Sequence, residues 1–181
     1  MYTDFFGFTE KPFKLVPNPA YLYLSQSHEE ALAHLTYGLS QGDGFVIITG
    51  EVGTGKTLLC RKLLNSLGED YVTAYIPNPY LTPSALIMAV ADELDVTLNT
   101  KEGTHLALKL ITERLIELGT KDKKVVLCID EAQAMPEQTL ETLRLITNLE
   151  TEKRKLLHVV LFGQPELDER LGQKSARQLR Q

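Results

Sequence analysis

Residues 50–57 read GEVGTGKT, and the fold turns on whether a strand ends before them and a helix begins after them. Gly50, Gly55, Lys56 and Thr57 occupy every fixed position of the G-x-x-x-x-G-K-[ST] pattern. Upstream, Phe45, Val46, Ile47 and Ile48 form a short, continuous apolar run rich in β-branched residues, as expected of a strand buried on both faces of a parallel sheet. Downstream, Leu58, Leu59, Leu63 and Leu64 recur at helical spacing until Gly68, the expected C-terminal cap. Strand, glycine loop and helix together predict an anion cradle. The glycines let successive N–H groups converge, and the helix adds its positive N-terminal end. The expected phosphate-contacting set is Gly50, Glu51, Val52, Gly53, Thr54, Gly55, Lys56, Thr57 and Leu58. Lys56 is to reach the β- and γ-phosphates, and Thr57 is to offer its hydroxyl to Mg²⁺.

A phosphate cradle needs a metal holder, and VVLCIDEAQ at 125–133 supplies one at the end of another apolar run. Asp130 is the expected metal carboxylate and Glu131 the expected base that polarises a water toward the γ-phosphate. A base beside the metal carboxylate favours hydrolysis over transfer to a small metabolite. Two polar residues at strand ends complete the expected site. Asn78, after the run 71–76, is placed to hydrogen-bond Glu131 and restrain it; Gln164, after the run 156–162, is placed to orient the attacking water or touch the γ-phosphate.

The rest of the chain fits a single α/β core. Ser27 and Glu30 read as a capping box for a helix ending near Gly42, and Thr82 before Pro83 as the N-cap of another. Further helices are expected at about 104–118 and 136–150. Strands alternating with helices of this length imply a parallel sheet covered on both faces. The stretch between Thr57 and Asp130 has room for an additional strand between the two motif strands in sequence. Residues 1–26 carry Pro12, Pro17 and Pro19 among Phe5, Phe6, Phe8, Phe13, Tyr21 and Tyr23; they are expected to form an extended arm packed on a core of residues 27–181.

Composition narrows the partners. Apolar residues make up 43% and charged residues 24% of 181, a globular balance. Nineteen basic against 24 acidic residues leave a net charge of −5, which disfavours nucleic acid as a partner. Cys60 and Cys128 read as small buried hydrophobes in a reducing compartment. His28, His34, His105 and His158 show no metal-ligand spacing. No run of 18 uncharged apolar residues occurs, so any membrane attachment is expected through segments outside this chain.

Taken together, these residues resemble an AAA+ ATPase of the additional-strand type, a three-layer P-loop NTPase core. More narrowly, the opening aromatic stretch, GEVGTGKT, IPNPYLTP, IDEAQ and LFGQPEL are similar to the ExeA-like ATPases of the general secretion pathway. Related proteins serve pilus biogenesis of the MSHA type, and more distant ones are transposition ATPases of the TniB kind. The resemblance implies ATP and Mg²⁺ as cofactors, self-association into an oligomer or ring on nucleotide, and secretion or pilus assembly proteins as partners. It also implies a cytoplasmic domain of an inner-membrane protein in a Gram-negative bacterium. The alternative within the same resemblance is a DNA-associated ATPase regulating transposition. The chain is expected to stop before the family's fifth strand and helical lid, leaving weak activity. By the same resemblance Arg177 and Arg180, with Arg170 a weaker candidate, supply the arginine that reaches a neighbour's γ-phosphate. Pro12, Phe13 and the segment near Tyr23 are the expected adenine walls.

Overall fold

Four apolar runs become four parallel strands: β1 (Phe45–Thr49), β2 (Tyr71–Ile76), β3 (Lys124–Ile129) and β4 (Leu157–Gly163), ordered β1-β4-β3-β2 across the sheet. This computed structural model describes residues 2–9, 11, 22–98, 103–150 and 155–172. One row of the sheet reads Ile47, Leu161, Ile129, Ile76, so the four carboxyl ends lie on one rim, with β1 and β4 running two residues beyond β3 and β2.

The pleat sorts the side chains. Val125, Leu127 and Ile129 of β3, with Leu157, Val159 and Leu161 of β4, face helices α4 (Pro83–Glu93), α5 (Thr104–Thr120) and α6 (Glu137–Thr147). Val126, Cys128, Val160 and Phe162 face α2 (Gln26–Gln41) and α3 (Lys56–Ser66). Burial on both faces is why VVLCI is continuously apolar rather than alternating. The topology explains which helix goes where. From β1 the chain crosses by α3 to the far edge at β2, then returns through β3 to β4. Right-handed crossovers put the outward connection on one face and the returning ones on the other.

A strand does lie between the motif strands in sequence, as expected: β2, which sits at the edge, while the strand standing between them in space is β4. Other expectations shift. The cap of α2 is Ser25 with His28 at its third position, in place of Ser27 with Glu30. His28 Nδ1 accepts the Ser25 N–H at 3.3 Å, the task a glutamate performs in an ordinary capping box. Gly42 caps the other end in the left-handed region, as expected. Helix α3 stops at Leu67 in extended backbone, one residue before Gly68. Thr82 Oγ1 accepts the Ala85 N–H at 3.3 Å with Pro83 opening α4, as expected.

At the N-terminus, Tyr2–Phe6 is a short helix, α1, where extended backbone was expected. Phe5, Phe6 and Phe8 pack on one another and stay exposed, so this part of the arm does not cover the core. Pro12, Phe13, Pro17, Pro19 and Tyr21 lie outside the described residues. Among the described residues the final helix, α7 (Glu166–Gly172), follows β4 after two residues.

Candidate functional site

The glycine loop leaves β1 at this rim, where the Gly50 N–H donates to the Gly163 carbonyl at 3.1 Å. Gly53 and Gly55 have φ of +81° and +84°, a region that a side chain would strain, and Gly55 opens α3. A Cβ on Gly50 would stand 3.0 Å from Thr54 Oγ1, so the loop closes tightly on itself. Lys56 is buried, and its ammonium donates to the carbonyls of Gly50 (2.7 Å) and Glu51 (2.8 Å). Val52, Gly53, Gly55, Lys56, Thr57, Leu58, Glu131 and Gln164 line one cavity of about 230 Å³. The glycine loop, the second carboxylate and the strand-end amide therefore meet, although they are far apart in sequence. Thr54 also closes the loop with its side chain, since its Oγ1 donates to the Glu51 carbonyl at 2.8 Å.

Asp130 is buried at the end of β3. Its Oδ2 accepts the Thr57 hydroxyl at 2.6 Å, and its Oδ1 accepts the Glu131 N–H at 2.9 Å. Beneath it the thiols of Cys60 and Cys128 touch. A hydrogen bond with Cys128, then burial and the negative field of Asp130, push the Cys60 thiol far up and keep it neutral. Burial, with the field of Asp130 adding to it, also raises the neighbouring Tyr75 phenol to about 12.

Glu131 has left-handed backbone, φ +52°, at the start of a 3₁₀ turn (Ala132–Ala134). Its Oε2 accepts from Gln133 Nε2 at 2.6 Å and from Gln164 Nε2 at 3.5 Å. The expected Asn78–Glu131 bond is not made. Asn78 Oδ1 instead accepts the Tyr80 N–H at 3.1 Å, closing a local turn, and it is Gln133 that bonds the Glu131 carboxylate. The other end of the Gln133 amide accepts the Gln164 N–H at 3.0 Å, tying β4's exit to the glutamate.

Arg170, the weaker arginine candidate, is committed within its own chain: its guanidinium donates to the carbonyls of Gln133 and, at 2.6 Å, Met135. Asp168 on the same helix accepts the Thr49 hydroxyl at 2.8 Å, so α7 bolts both motif strands together. Arg177 and Arg180 lie outside the described residues. Of the adenine walls, Tyr23 is 86% exposed, while Pro12 and Phe13 lie outside the described residues.

The sequence reading missed Gln133, Asp168 and His28. Gln133 carried a signal, as an amide two residues past the glutamate in IDEAQ. His28, whose Nε2 lies 2.7 Å from the Thr54 carbonyl, carried none, being 26 residues away on another element.

Comparison with known proteins agrees with this geometry. A profile for the AAA domain matches residues 39–171. General secretion pathway protein A of Aeromonas hydrophila is 51% identical over the whole chain, which spans 33% of that protein's length. Among solved structures, Cdc6p from Pyrobaculum aerophilum superposes with a TM-score of 0.69 at 23% identity, over 90% of this chain and 45% of that one. The Aeropyrum pernix ORC2 protein in ADPNP–ADP complexes gives 0.67 at 17% identity, over 92% and 48%. At such identities the structures attest the fold alone. With a strand–glycine loop–helix unit, a strand-end carboxylate pair and the inserted β4, the chain belongs to the AAA domain family, as a P-loop nucleoside triphosphatase core of the AAA+ type.

Proposed function

We propose that this domain binds ATP with Mg²⁺ and hydrolyses it, with the energy serving assembly of a bacterial secretion or pilus apparatus. The observation that carries the chemistry is the Thr57–Asp130–Glu131 arrangement on the rim of the loop cavity. The Thr57 hydroxyl and the Asp130 carboxylate stand 2.6 Å apart. Neighbouring oxygens of an octahedral Mg²⁺ shell are separated by about 3 Å, so this donor pair fits the ion, with water and phosphate oxygens completing the shell. Bound there, Mg²⁺ supplies charge neutralisation between the terminal phosphates.

The chain's own residues do the rest. The loop N–H groups and the end of α3 hold phosphate oxygens, and Lys56 exchanges its carbonyl partners for the β- and γ-phosphates. Glu131 accepts a proton from water, and Gln164, on the same cavity, orients that water or the γ-phosphate. Gln133 holds the carboxylate until ring assembly reorganises it.

The cellular role rests on the general secretion pathway relative together with the acidic balance of the chain. Both favour secretion over the transposition reading. No described helix is long and apolar enough to cross a membrane. The inner-membrane, cytoplasm-facing placement, the oligomerisation on nucleotide and the separate N-terminal segment 1–26 are part of this proposal.

The test is Glu131→Gln, which keeps the cavity and removes the base. ATP binding, measured by calorimetry with Mg²⁺, is expected to persist while phosphate release falls by about 10²- to 10⁴-fold. Turnover at the wild-type rate would sink the assignment.

A further inference from the structure

We infer that His28 is a positioning residue for the phosphate loop, setting the peptide plane that presents the Gly55 N–H to a phosphate. This rests on the reading of Gly50–Thr57 as a nucleotide-phosphate site. The Thr54 carbonyl can only accept, so His28 Nε2, 2.7 Å away, carries the proton. The Ser25 N–H can only donate, so Nδ1, 3.3 Å away and also 2.8 Å from Ser25 Oγ, is the bare nitrogen. Each partner independently selects one and the same neutral tautomer. The ring is thereby fixed at both ends: by the cap of α2 on one side and by the loop on the other.

The consequence lies in the peptide between Thr54 and Gly55. A planar trans peptide points its C=O and N–H in opposite directions. Holding the Thr54 carbonyl outward on the imidazole therefore aims the Gly55 N–H the other way. The left-handed φ of +84° at Gly55 then turns the Lys56 N–H toward the same concavity, as in a backbone anion nest. Glycine is the one residue free to rotate this peptide in either direction, so without an external bond the plane would be loosely held. The ring also packs on the loop: a Cβ at Gly55 would stand 3.3 Å from His28 Nε2. His28 and Thr54 further share a second cavity of about 410 Å³ with Ser25 and Lys56, so the bond sits where the N-terminal segment enters the core. A displacement of residues upstream of Ser25 is thus transmitted through one imidazole to the phosphate donors.

Three substitutions separate the loop role from helix capping. His28→Gln places an amide N–H where Nε2 stands and restores the bond to Thr54; His28→Asn places its amide where Nδ1 stands and restores only the cap. Two readouts are taken: amide hydrogen exchange at Gly55 and Lys56 in the nucleotide-free protein, and the Kd for a methylanthraniloyl-ATP probe with Mg²⁺. His28→Ala and His28→Asn are expected to speed that exchange and weaken the probe about fivefold, while His28→Gln stays within about twofold of wild type. Wild-type behaviour in His28→Ala overturns the inference. So does rescue by Asn rather than Gln, or a Gln variant no better than Ala. If the wild-type protein itself fails to bind the probe, the ATP reading is what falls, and the exchange comparison still decides the role of His28.

Discussion

Glu131 is the residue whose placement costs the fold most visibly. Its left-handed backbone costs on the order of 1–3 kcal/mol for a side-chain-bearing residue, and such strain persists only where the surroundings over-determine it. Here Asp130 Oδ1 holds its N–H, and Gln133 and Gln164 hold its carboxylate. Turned this way, the second carboxylate leaves the line of β3 and lines the loop cavity, while Asp130 stays buried at the strand end. His158 shows the opposite use of burial. Burial first, and then the positive charges of Lys124 and Lys155, hold its pKa below the ordinary 6.5, against the pull of the Asp43 carbonyl it donates to. A group with a depressed folded pKa adds stability above its unfolded value and loses it as pH falls through the folded one. Stability is therefore expected to drop as pH falls below 6.5, the unperturbed value. His158→Asn, which keeps a donor for Asp43 but does not titrate, should show a shallower drop. Urea midpoints from about pH 7.5 to 5 check this; equal slopes in the two proteins would contradict it.

At the scale of elements, α7 and the 3₁₀ turn decide how the two motifs meet. Arg170 grips the carbonyls of Gln133 and Met135, Asp168 grips Thr49, and the Gln133 amide grips the first residue after β4. The close approach is possible because residue 163 is glycine. A Cβ there would lie 2.7 Å from Leu167 Cδ2, 3.2 Å from Leu167 Cβ and 3.3 Å from Gln133 Oε1. Leu167 is fully buried and its Cβ is fixed to the helix backbone, so α7 itself would have to move. Gly163→Ala is expected to destabilise the domain by about 1–3 kcal/mol and to slow ATP turnover by loosening Gln133. Denaturant melts beside steady-state phosphate release test both effects, and an unchanged melt would show that the helix yields freely.

For the whole molecule, the shared carboxyl rim of the sheet is what turns separate motifs into one site. Because the strands are parallel and Ile47, Leu161, Ile129 and Ile76 share a row, the loop after β1, the carboxylates after β3 and the amide after β4 emerge at the same edge of the sheet, the carboxylates two residues before the other two. Arg170 is spent inside its own chain, which leaves Arg177 and Arg180 as the proposed source of an arginine acting on a neighbour. Neither an Arg177→Ala/Arg180→Ala protein nor a Lys56→Ala protein is expected to hydrolyse ATP well alone. Their equimolar mixture should recover about a quarter of the sites if the chains pair at random, because a working site takes Lys56 from one chain and the arginines from the other, and such arginines are worth about 10³ to 10⁵ in rate. A mixture as inactive as its parts would remove these arginines from the mechanism. The sequence by itself determined the strands, the glycine loop and the Asp130–Glu131 pair, because burial on both faces and backbone convergence on an anion leave their mark in local residue types. It also placed Gln164, which stands at a strand end. Only the tertiary structure decided that β4 separates the motif strands, that Gln133 replaces Asn78 beside Glu131, and that His28 reaches Thr54. Those outcomes depend on strand order and on contacts between elements distant in the chain, and a polar side chain that bonds across such a distance leaves no periodicity behind it.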